Sequence, residues 1–428
     1  MALAKAFHVG LDPMVPMLVI AALVGAASAL AVEGFRRAMH ALMSLYTHEE
    51  HLVAAAAALP LWERALIPPA AAFAGGLLMW AGQRWVRRPR GPEYMEAVRV
   101  GDGLLPLGPN LVRTASSLLA VSGGITIGRE GTMVQFGAVI ASIIGRIGRA
   151  DLEHRRLVVA CGAAAGFAAA YHAPIAGALF VAEIILGGLQ LRQFAAVLVA
   201  AVMGELSTER LVATGPLYLA SAVPPVSFGD VLDASLLGLL AGLVGPLFLW
   251  LLDACRNVYQ ERIAWLPLRM GLAGALIGLL SLLSPEVWGN GYSVVQSFLV
   301  DPWTLSALAL VFALRLAAVT AASAAGIPGG VLTPTLALGG AMGLMVSHLF
   351  VAPDAAQSQA LWTLVGMGSL LAATTHAPAM SAIMVFEITR NYNVVMAAMP
   401  ACVLGSVIGS LLRHRSVYAE ALGLREEP

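Results

Sequence analysis

The chain has 428 residues, of which 59% are hydrophobic and only 12% are charged, and its mean hydropathy is +0.81. Soluble domains carry roughly a quarter charged residues, so this composition excludes an ordinary soluble domain and predicts an integral membrane protein. The 25 basic and 25 acidic residues leave no net charge, which gives no indication of a nucleic-acid partner. Three cysteines stand in apolar stretches without CxxC spacing, which favours packing over disulfides or metal ligation.

Apolar segments recur along the whole chain, and a spanning helix needs about 20 such residues. The first segment is too long for a signal-peptide core, so we expect it to remain as a membrane helix. Many segments are short or are interrupted by Gly or Pro, which predicts helices that begin or end within the bilayer around a cavity. The predicted segments cover about residues 17–34, 66–82, 112–127, 132–147, 157–170, 175–188, 194–205, 234–252, 270–283, 304–322, 331–350, 359–373, 378–388 and 394–412.

Two arginine clusters, at Arg84–Arg90 and Arg146–Arg156, flank these segments. The positive-inside tendency places both clusters on the cytoplasmic side, chiefly as anchors of the topology. No stretch outside the membrane segments is long enough for a further domain, so residues 1–428 are expected to form one membrane domain.

An internal repeat is the most informative pattern in the chain. The sequence AAYHAP, continuing to VAEI, occupies Ala169–Ile184, and the sequence ATTHAP, continuing to VFEI, occupies Ala373–Ile388 with the same spacing from His to Glu. Upstream, Gly128–Thr132 is matched by Gly329–Pro334. Paired halves with corresponding broken segments are typical of transporters that have their site near the midplane. We place the first repeat at about residues 15–206 and the second at about 230–415.

The run Gly128-Arg129-Glu130-Gly131-Thr132 sets two glycines around a charged pair, before a helical pattern. This arrangement is typical of a helix that begins inside the membrane, where free backbone N–H groups and the helix dipole bind anions. Gly329 and Gly330 repeat the arrangement in the second half. Opposed helix starts from the two repeats would hold an anion weakly enough to release it, as conduction requires.

Glu130 is the most informative ionisable residue, because a carboxylate at membrane depth is costly and indicates function. When ionised it would occupy the anion site itself, and when protonated it would withdraw, which gives a gate coupled to pH and a route for a proton. The alternative is a structural salt bridge with Arg129. Because adjacent side chains diverge at a helix start, we expect Arg129 to point elsewhere.

Other ionisable residues in apolar segments favour structural roles. Glu183 and Glu387 occupy equivalent positions in the two repeats, which favours capping of broken helices over transport. His172 and His376 precede Ala-Pro pairs typical of helix starts, and we interpret both as caps or satisfied interior groups. An intramembrane enzyme would need a metal cluster or an activated nucleophile, and neither spacing occurs. No catalytic or metal-binding residue is therefore predicted.

These motifs resemble those of the CLC family of chloride channels and chloride/proton antiporters. The signature GREG at Gly128–Gly131, the run GIPGGVLTP at Gly326–Pro334 and the C-terminal Ser416–Tyr418 follow the family's order across essentially the whole chain. The stretch Trp288–Leu299 is similar to an enterobacterial branch of the family. The resemblance implies an all-α homodimer with one pore per subunit, in which each subunit is an inverted repeat of tilted, partly broken transmembrane helices.

The resemblance also implies roles for individual residues. Glu130 would be the gating glutamate, with Arg129 and Gly131 beside it at the outer anion site. Backbone N–H groups of Val331 and Leu332 would bind the central anion. The hydroxyl of Tyr418 would close that site from the cytoplasmic side. The motifs at the two helix termini would also include Gly128, Gly329, Gly330 and Pro334.

Three departures from the family pattern bear on the mechanism. The family's GSGIP signature supplies a serine to the central anion, but the corresponding stretch Arg88–Pro92 has none, which leaves nitrate or fluoride as alternative anions. Ile184 replaces the proton-transfer glutamate that is usual in antiporters. Leu332 replaces the usual phenylalanine, a mild change where a backbone N–H does the binding.

We therefore expect a multi-pass protein of the bacterial inner membrane that conducts chloride, gated by voltage or pH, as an electrical shunt in acid stress. A chloride/proton antiporter with a water-mediated proton path is the alternative. The expected partners are chloride, membrane lipid and a second copy of the chain, with protons added in the alternative. Neither a cofactor nor a nucleotide-binding regulatory domain is expected.

Overall fold

The computed structural model describes residues 14–85, 93–188, 190–212, 215–220, 223, 225–350, 356–419 and 422. Within these ranges the regular structure is helical, and the extended pairing is confined to one bridge between Gly128 and Gly330. The helices of the first half are α1 (Met14–Met43), α2 (Leu52–Ala58), α3 (Leu61–Trp85), α4 (Tyr94–Arg99), α5 (Leu107–Ser122), α6 (Glu130–Ile147), α7 (Leu152–Tyr171), α8 (Pro174–Phe180), a π-helical turn (Val181–Leu186) and α9 (Leu191–Leu211). The helices of the second half are α10 (Phe228–Arg262), α11 (Leu266–Ser281), α12 (Tyr292–Val300), α13 (Leu305–Ala324), α14 (Leu332–Phe350), α15 (Ala356–Thr375), α16 (Pro378–Thr389) and α17 (Asn393–Leu412).

Seven of the described helices are long and apolar enough to cross a membrane, namely α1, α3, α9, α10, α13, α14 and α17. Large apolar side chains such as Leu23, Leu243 and Trp250 stand exposed on their outer faces. An aqueous surface would not tolerate so many exposed apolar groups, whereas lipid does. The protein is therefore a multi-pass membrane protein, as the composition predicted.

Every predicted segment coincides with a helix or a pair of adjoining helices, and most bounds agree within two residues. The exception is 112–127, because α5 ends at Ser122 and the residues that follow form the non-helical approach to α6. The expected broken helices are also confirmed, because α6 begins at Glu130 between buried elements and α8 and α16 begin at Pro174 and Pro378. Three short helices, α2, α4 and α12, were not predicted because their apolar runs are brief.

The helix order of α6–α9 recurs in α14–α17. In both halves a histidine in the left-handed conformation follows the second helix, with φ of 56° at His172 and 59° at His376. A left-handed residue ends a helix, because it turns the backbone away from the helical hydrogen-bond ladder. His172 is also satisfied, with Nδ1 3.0 Å from Oε1 of Glu205. His376 is not, since its Nε2 has no hydrogen-bond partner among the described residues.

Two glutamates join the repeats by capping each other's helices. The carboxylate of Glu183 accepts hydrogen bonds from the N–H groups of Ala379 (3.3 Å) and Met380 (2.8 Å) at the start of α16. The predicted capping role is therefore confirmed for Glu183. The carboxylate of Glu387 correspondingly accepts from the N–H groups at the start of α8, Ile175 at 2.9 Å and Ala176 at 2.7 Å. Each glutamate satisfies helix donors that would otherwise be buried without partners.

Candidate functional site

The starts of α6 and α14 meet through the backbones of two glycines. Gly128 N–H donates to the carbonyl of Gly330 at 2.7 Å, and Gly330 N–H donates back to the carbonyl of Gly128 at 2.8 Å. A Cβ on Gly128 would lie 2.6 Å from that Gly330 oxygen, and a Cβ on Gly131 would lie 3.1 Å from Gly330 N. The approach therefore requires glycine. The opposition of the two helix starts, predicted from the repeat, is present.

A cavity of about 80 Å³ borders this junction. Its volume exceeds that of a single water molecule, which leaves room for a small anion. Six of the predicted site residues line it: Glu130, Gly131, Gly329, Gly330, Leu332 and Tyr418. Four do not line it: Gly128 forms the bridge behind it, Val331 is half-buried at the start of α14, Pro334 is buried in the first turn, and Arg129 turns toward α1.

Glu130 is the first residue of α6 and is only 1% exposed. Its Oε1 accepts a hydrogen bond from Asn290 Nδ2 at 2.5 Å, and its Oε2 accepts one from Thr333 Oγ1 at 2.7 Å. Both donors come from the second half of the chain. The carboxylate therefore lies at the junction of the two helix starts, where the positive ends of both dipoles favour a negative charge.

The side chain of Arg129 does not diverge from that of Glu130, contrary to the expectation. Its Nε lies 3.6 Å from Oε1 of Glu130. Its Nη1 contacts the sulfur of Met39 at 3.2 Å, and the guanidinium lies 5.4 Å from the ring centre of Tyr292. These contacts fold the long side chain back over the helix start. At 3.6 Å the ion pair is longer than the two hydrogen bonds, so Asn290 and Thr333 hold the carboxylate more closely.

Tyr418 reaches the cavity from the turn that follows α17. The N–H of Val417 donates to the carbonyl of Thr374 at 2.9 Å, which fixes this segment beside the end of α15. The ring of Tyr418 packs edge-on against Phe180, with ring centres 5.7 Å apart. An aromatic contact of this kind orients the phenol at the edge of the cavity.

One of the three tyrosines that line the cavity has a role that sequence reasoning missed. Tyr171 lines the cavity, and its hydroxyl lies 3.0 Å from Oγ1 of Thr333. Because Thr333 donates to Glu130, Tyr171 donates to Thr333, and the three groups form a continuous hydrogen-bonded chain. Nothing in the sequence marks Tyr171 or Thr333 as a site residue, apart from their places in the repeated motifs.

Two of the departures from the family pattern concern the missing serine at Arg88–Pro92 and the missing glutamate at Ile184. Arg88–Pro92 lies outside the described residues. Glu93, which directly follows it, lines the cavity and pairs with Arg113 at 2.6 Å. Ile184 is buried in the π-helical turn beside the capping Glu183, so this position carries no titratable group.

Together the fold and the site define a multi-pass membrane protein of the transport class, with a small cavity between paired broken helices. The family model described as voltage gated chloride channel matches residues 70–410. A putative chloride channel protein ClcB-like of Ralstonia nicotianae is 45% identical over 414 residues, which cover 95% of this chain and 96% of that protein. A voltage-gated ClC-type chloride channel ClcB of Citrobacter koseri is 42% identical over 413 residues, which cover 94% and 98%.

Solved structures of antiporters share the fold of this chain. A slow cyanobacterial Cl⁻/H⁺ antiporter superposes with a TM-score of 0.83 at 25% identity, covering 97% of this chain and 98% of that one. A CLC-type fluoride/proton antiporter superposes with a TM-score of 0.76 at 20% identity, covering 94% and 96%. The chain belongs to the CLC family of voltage-gated chloride channels, and its relatives named ClcB confirm the branch indicated by Trp288–Leu299.

Proposed function

We propose that this protein moves chloride across the bacterial inner membrane, as a homodimer with one pore in each subunit. The observation that carries the proposal is the carboxylate of Glu130, buried at the junction of two helix starts beside a cavity. An anionic side chain held where helix dipoles favour negative charge marks a place that a free anion can also occupy. The names of the relatives support chloride as that anion.

In this mechanism the central chloride is held by helix dipoles and hydrogen-bond donors rather than by a fixed cation. Backbone N–H groups of Val331 and Leu332 at the start of α14 bind the central ion, and the hydroxyl of Tyr418 donates to it from the cytoplasmic side. Arg129 and Gly131 contribute to the outer site. The glycines at 128 and 329 allow the close approach, Gly330 contributes its backbone to the bridge, and Pro334 fixes the first turn of α14. Binding of this kind is weak enough for rapid release.

Glu130 is the gate in this proposal. The ionised carboxylate occupies the outer anion site and competes with chloride. Protonation removes its charge, frees the side chain from the site and admits the anion. Transport therefore increases as the pH falls, which suits an electrical shunt during acid stress. No cofactor or bond-breaking step is needed.

Passive conduction and proton-coupled exchange both fit this gate. Ile184 favours conduction, because an inner proton-transfer carboxylate is lacking at that position. The hydroxyl chain from Glu130 through Thr333 to Tyr171 favours exchange, because it offers a proton a route from the gate into the cavity. The similarity to a Cl⁻/H⁺ antiporter structure supports the same alternative.

The test is the reversal potential of purified protein in planar bilayers, under a chloride gradient and then with a pH gradient added. A potential that follows chloride alone identifies a channel, and a further shift with the pH gradient identifies an antiporter. Repeating the measurement with nitrate and fluoride ranks the anions. Absence of any chloride-dependent potential would overturn the proposal.

A further inference from the structure

The loop between α11 and α12 carries Asn290 from the second half of the chain to Glu130. Asn290 is only 7% exposed, and its Nδ2 donates to Oε1 of Glu130 at 2.5 Å. The side chain stands between Gly289 and Gly291, which both have positive φ, at 74° and 115°. Glycines in this conformation allow the tight turn that points the amide at the carboxylate.

This loop is bonded to the segment that leads into α6. Gly289 N–H donates to the carbonyl of Gly124 at 3.0 Å. Thr126 Oγ1 donates to the carbonyl of Val287 at 2.5 Å. Both bonds lie within a few residues of Glu130, so the distance between Asn290 and the carboxylate is fixed by the backbone and not only by the side chains.

Arg315 of α13 holds the other side of the same loop. It is 1% exposed, and its guanidinium donates to the carbonyls of Glu286 (2.5 Å) and Gly289 (3.2 Å). A Cβ on Gly291 would lie 2.8 Å from Nη2 of Arg315. Burial of a guanidinium is costly unless its donors are used. Both Nη groups are used here, whereas Nε has no partner among the described residues, and the two bonds hold the loop that carries Asn290.

We propose that Asn290 is a positioning residue that latches the ionised carboxylate of Glu130 in the anion site. Thr333 supplies the second donor of the latch, to the other carboxylate oxygen. An amide N–H donates to an ionised carboxylate more strongly than to a protonated one. The latch therefore stabilises the closed gate and delays its opening as the pH falls. This inference rests on the proposed gating role of Glu130.

Other charged and titratable groups lie around Glu130 or around its neighbour Arg129. Arginine and tyrosine side chains ordinarily keep one charge state between pH 5 and 8. His40, near Arg129 on α1, ordinarily titrates in that range. Its effect must therefore be separated from that of Glu130. The groups concerned are Arg36, His40, Arg129, Tyr171, Tyr218 and Tyr292.

The test is the pH dependence of chloride efflux from vesicles that contain the purified full chain. Asn290→Ala removes the donor, and we expect the pH of half-maximal efflux to rise by about one unit, which is the size of one hydrogen bond to a charged group. Thr333→Val removes the second donor with little change in shape, and is expected to shift the profile in the same direction. Asn393→Ala is the matched control, because its amide donates to the carbonyl of Val223 and not to Glu130.

The same substitutions in a Glu130→Ala background complete a double-mutant cycle. There Asn290→Ala is expected to have no effect on the profile, and any dependence that remains belongs to His40 or another group. Unshifted profiles for both Asn290→Ala and Thr333→Val, with a pH-independent Glu130→Ala, would overturn the latch and leave the gate intact. A Glu130→Ala protein with the wild-type profile would overturn the gate itself. If Asn290→Ala fails to fold, the pH profile of Thr333→Val alone tests the latch.

Discussion

Two kinds of glutamate have their carboxylates at helix starts in this protein, and they are held differently. Glu387 and Glu183 each accept two backbone N–H groups from a helix of the other repeat. Glu130 accepts two side-chain donors, Asn290 and Thr333. Glu130 is also the most buried of the three carboxylates and the one that borders the cavity.

The difference separates a fixed carboxylate from one that can leave. If Glu387 moved, two helix-start N–H groups would lose their partners, one of them at the buried Ala176, and each loss would cost free energy. If Glu130 moved, one of its two donors would keep a partner, since Thr333 already contacts Tyr171 at 3.0 Å. Backbone donors therefore suit a permanent cap, and side-chain donors suit a gate.

The largest effect is expected from loss of a permanent cap. Glu387→Ala leaves the N–H groups of Ile175 and Ala176 unpaired and should lower the free energy of unfolding by about 3 kcal/mol. Thermal or denaturant unfolding of the purified protein in detergent measures this loss in the free energy of unfolding. Glu209→Ala is the matched control, because its exposed pair with Arg390 should contribute less than about 1 kcal/mol. Equal, small losses for both variants would remove the distinction between cap and gate.

A smaller effect is expected where the two helix starts meet. Gly128→Ala places a Cβ 2.6 Å from the Gly330 carbonyl, and should cost about 2 kcal/mol by overpacking. Gly34→Ala, which meets nothing within 4 Å in the middle of α1, should be neutral or stabilising. Comparison of the two unfolding curves tests whether the bridge is as tight as described. A neutral Gly128→Ala would show that the junction is loose.

Chloride affinity should depend on the hydroxyl of Tyr418. Tyr418→Phe keeps the edge-on contact with Phe180 but removes one donor, so we expect binding to weaken about fivefold, equivalent to about 1 kcal/mol. Calorimetric titration with chloride measures the change. Tyr392→Phe is the control, and this variant should bind chloride normally. Tyr392 is exposed, and its ring centre lies 6.1 Å from that of Phe386. Unchanged affinity in Tyr418→Phe would remove this residue from the anion site.

The smallest effect concerns an exposed carboxylate that caps its own helix. The hydrogen bonds from the backbone and ring of His154 hold the pKa of Asp151 below its usual value. Because the folded pKa is the lower one, the stabilisation is present above the unfolded pKa and is lost as the pH falls through the folded one. Asp151→Ala should therefore cost about 0.5 kcal/mol at pH 7, and the difference from wild type should shrink below about pH 4. A difference that is constant with pH would contradict the role of the charge.

The helices could be predicted from sequence because each depends on a local apolar run. The meeting of two helix starts could be predicted because the same motif occurs in both halves of the chain. Apolar runs mark the membrane helices wherever they occur. The paired motifs at Gly128 and Gly329 predicted that two helix starts would meet, and the symmetric positions of Glu183 and Glu387 predicted caps. That each glutamate caps the other repeat's helix depends on packing and was not predictable from spacing.

The partners of Glu130 could not be predicted, because they are far from it in the chain. Asn290 and Thr333 reach it only once the two halves have folded together. The one available signal for Asn290 is a polar residue between two glycines in an apolar stretch. The orientation of Arg129 was predicted wrongly, since the rule for adjacent side chains neglects the length of arginine and its contacts with Met39 and Tyr292.

The central claim is that Glu130 is the carboxylate that gates anion movement. Its most direct test is chloride efflux from vesicles containing purified wild type or Glu130→Gln, measured from pH 5 to 8. The account predicts that wild-type efflux falls as the pH rises, whereas efflux through Glu130→Gln persists and is independent of pH. A Glu130→Gln protein that kept the wild-type response to pH would contradict it.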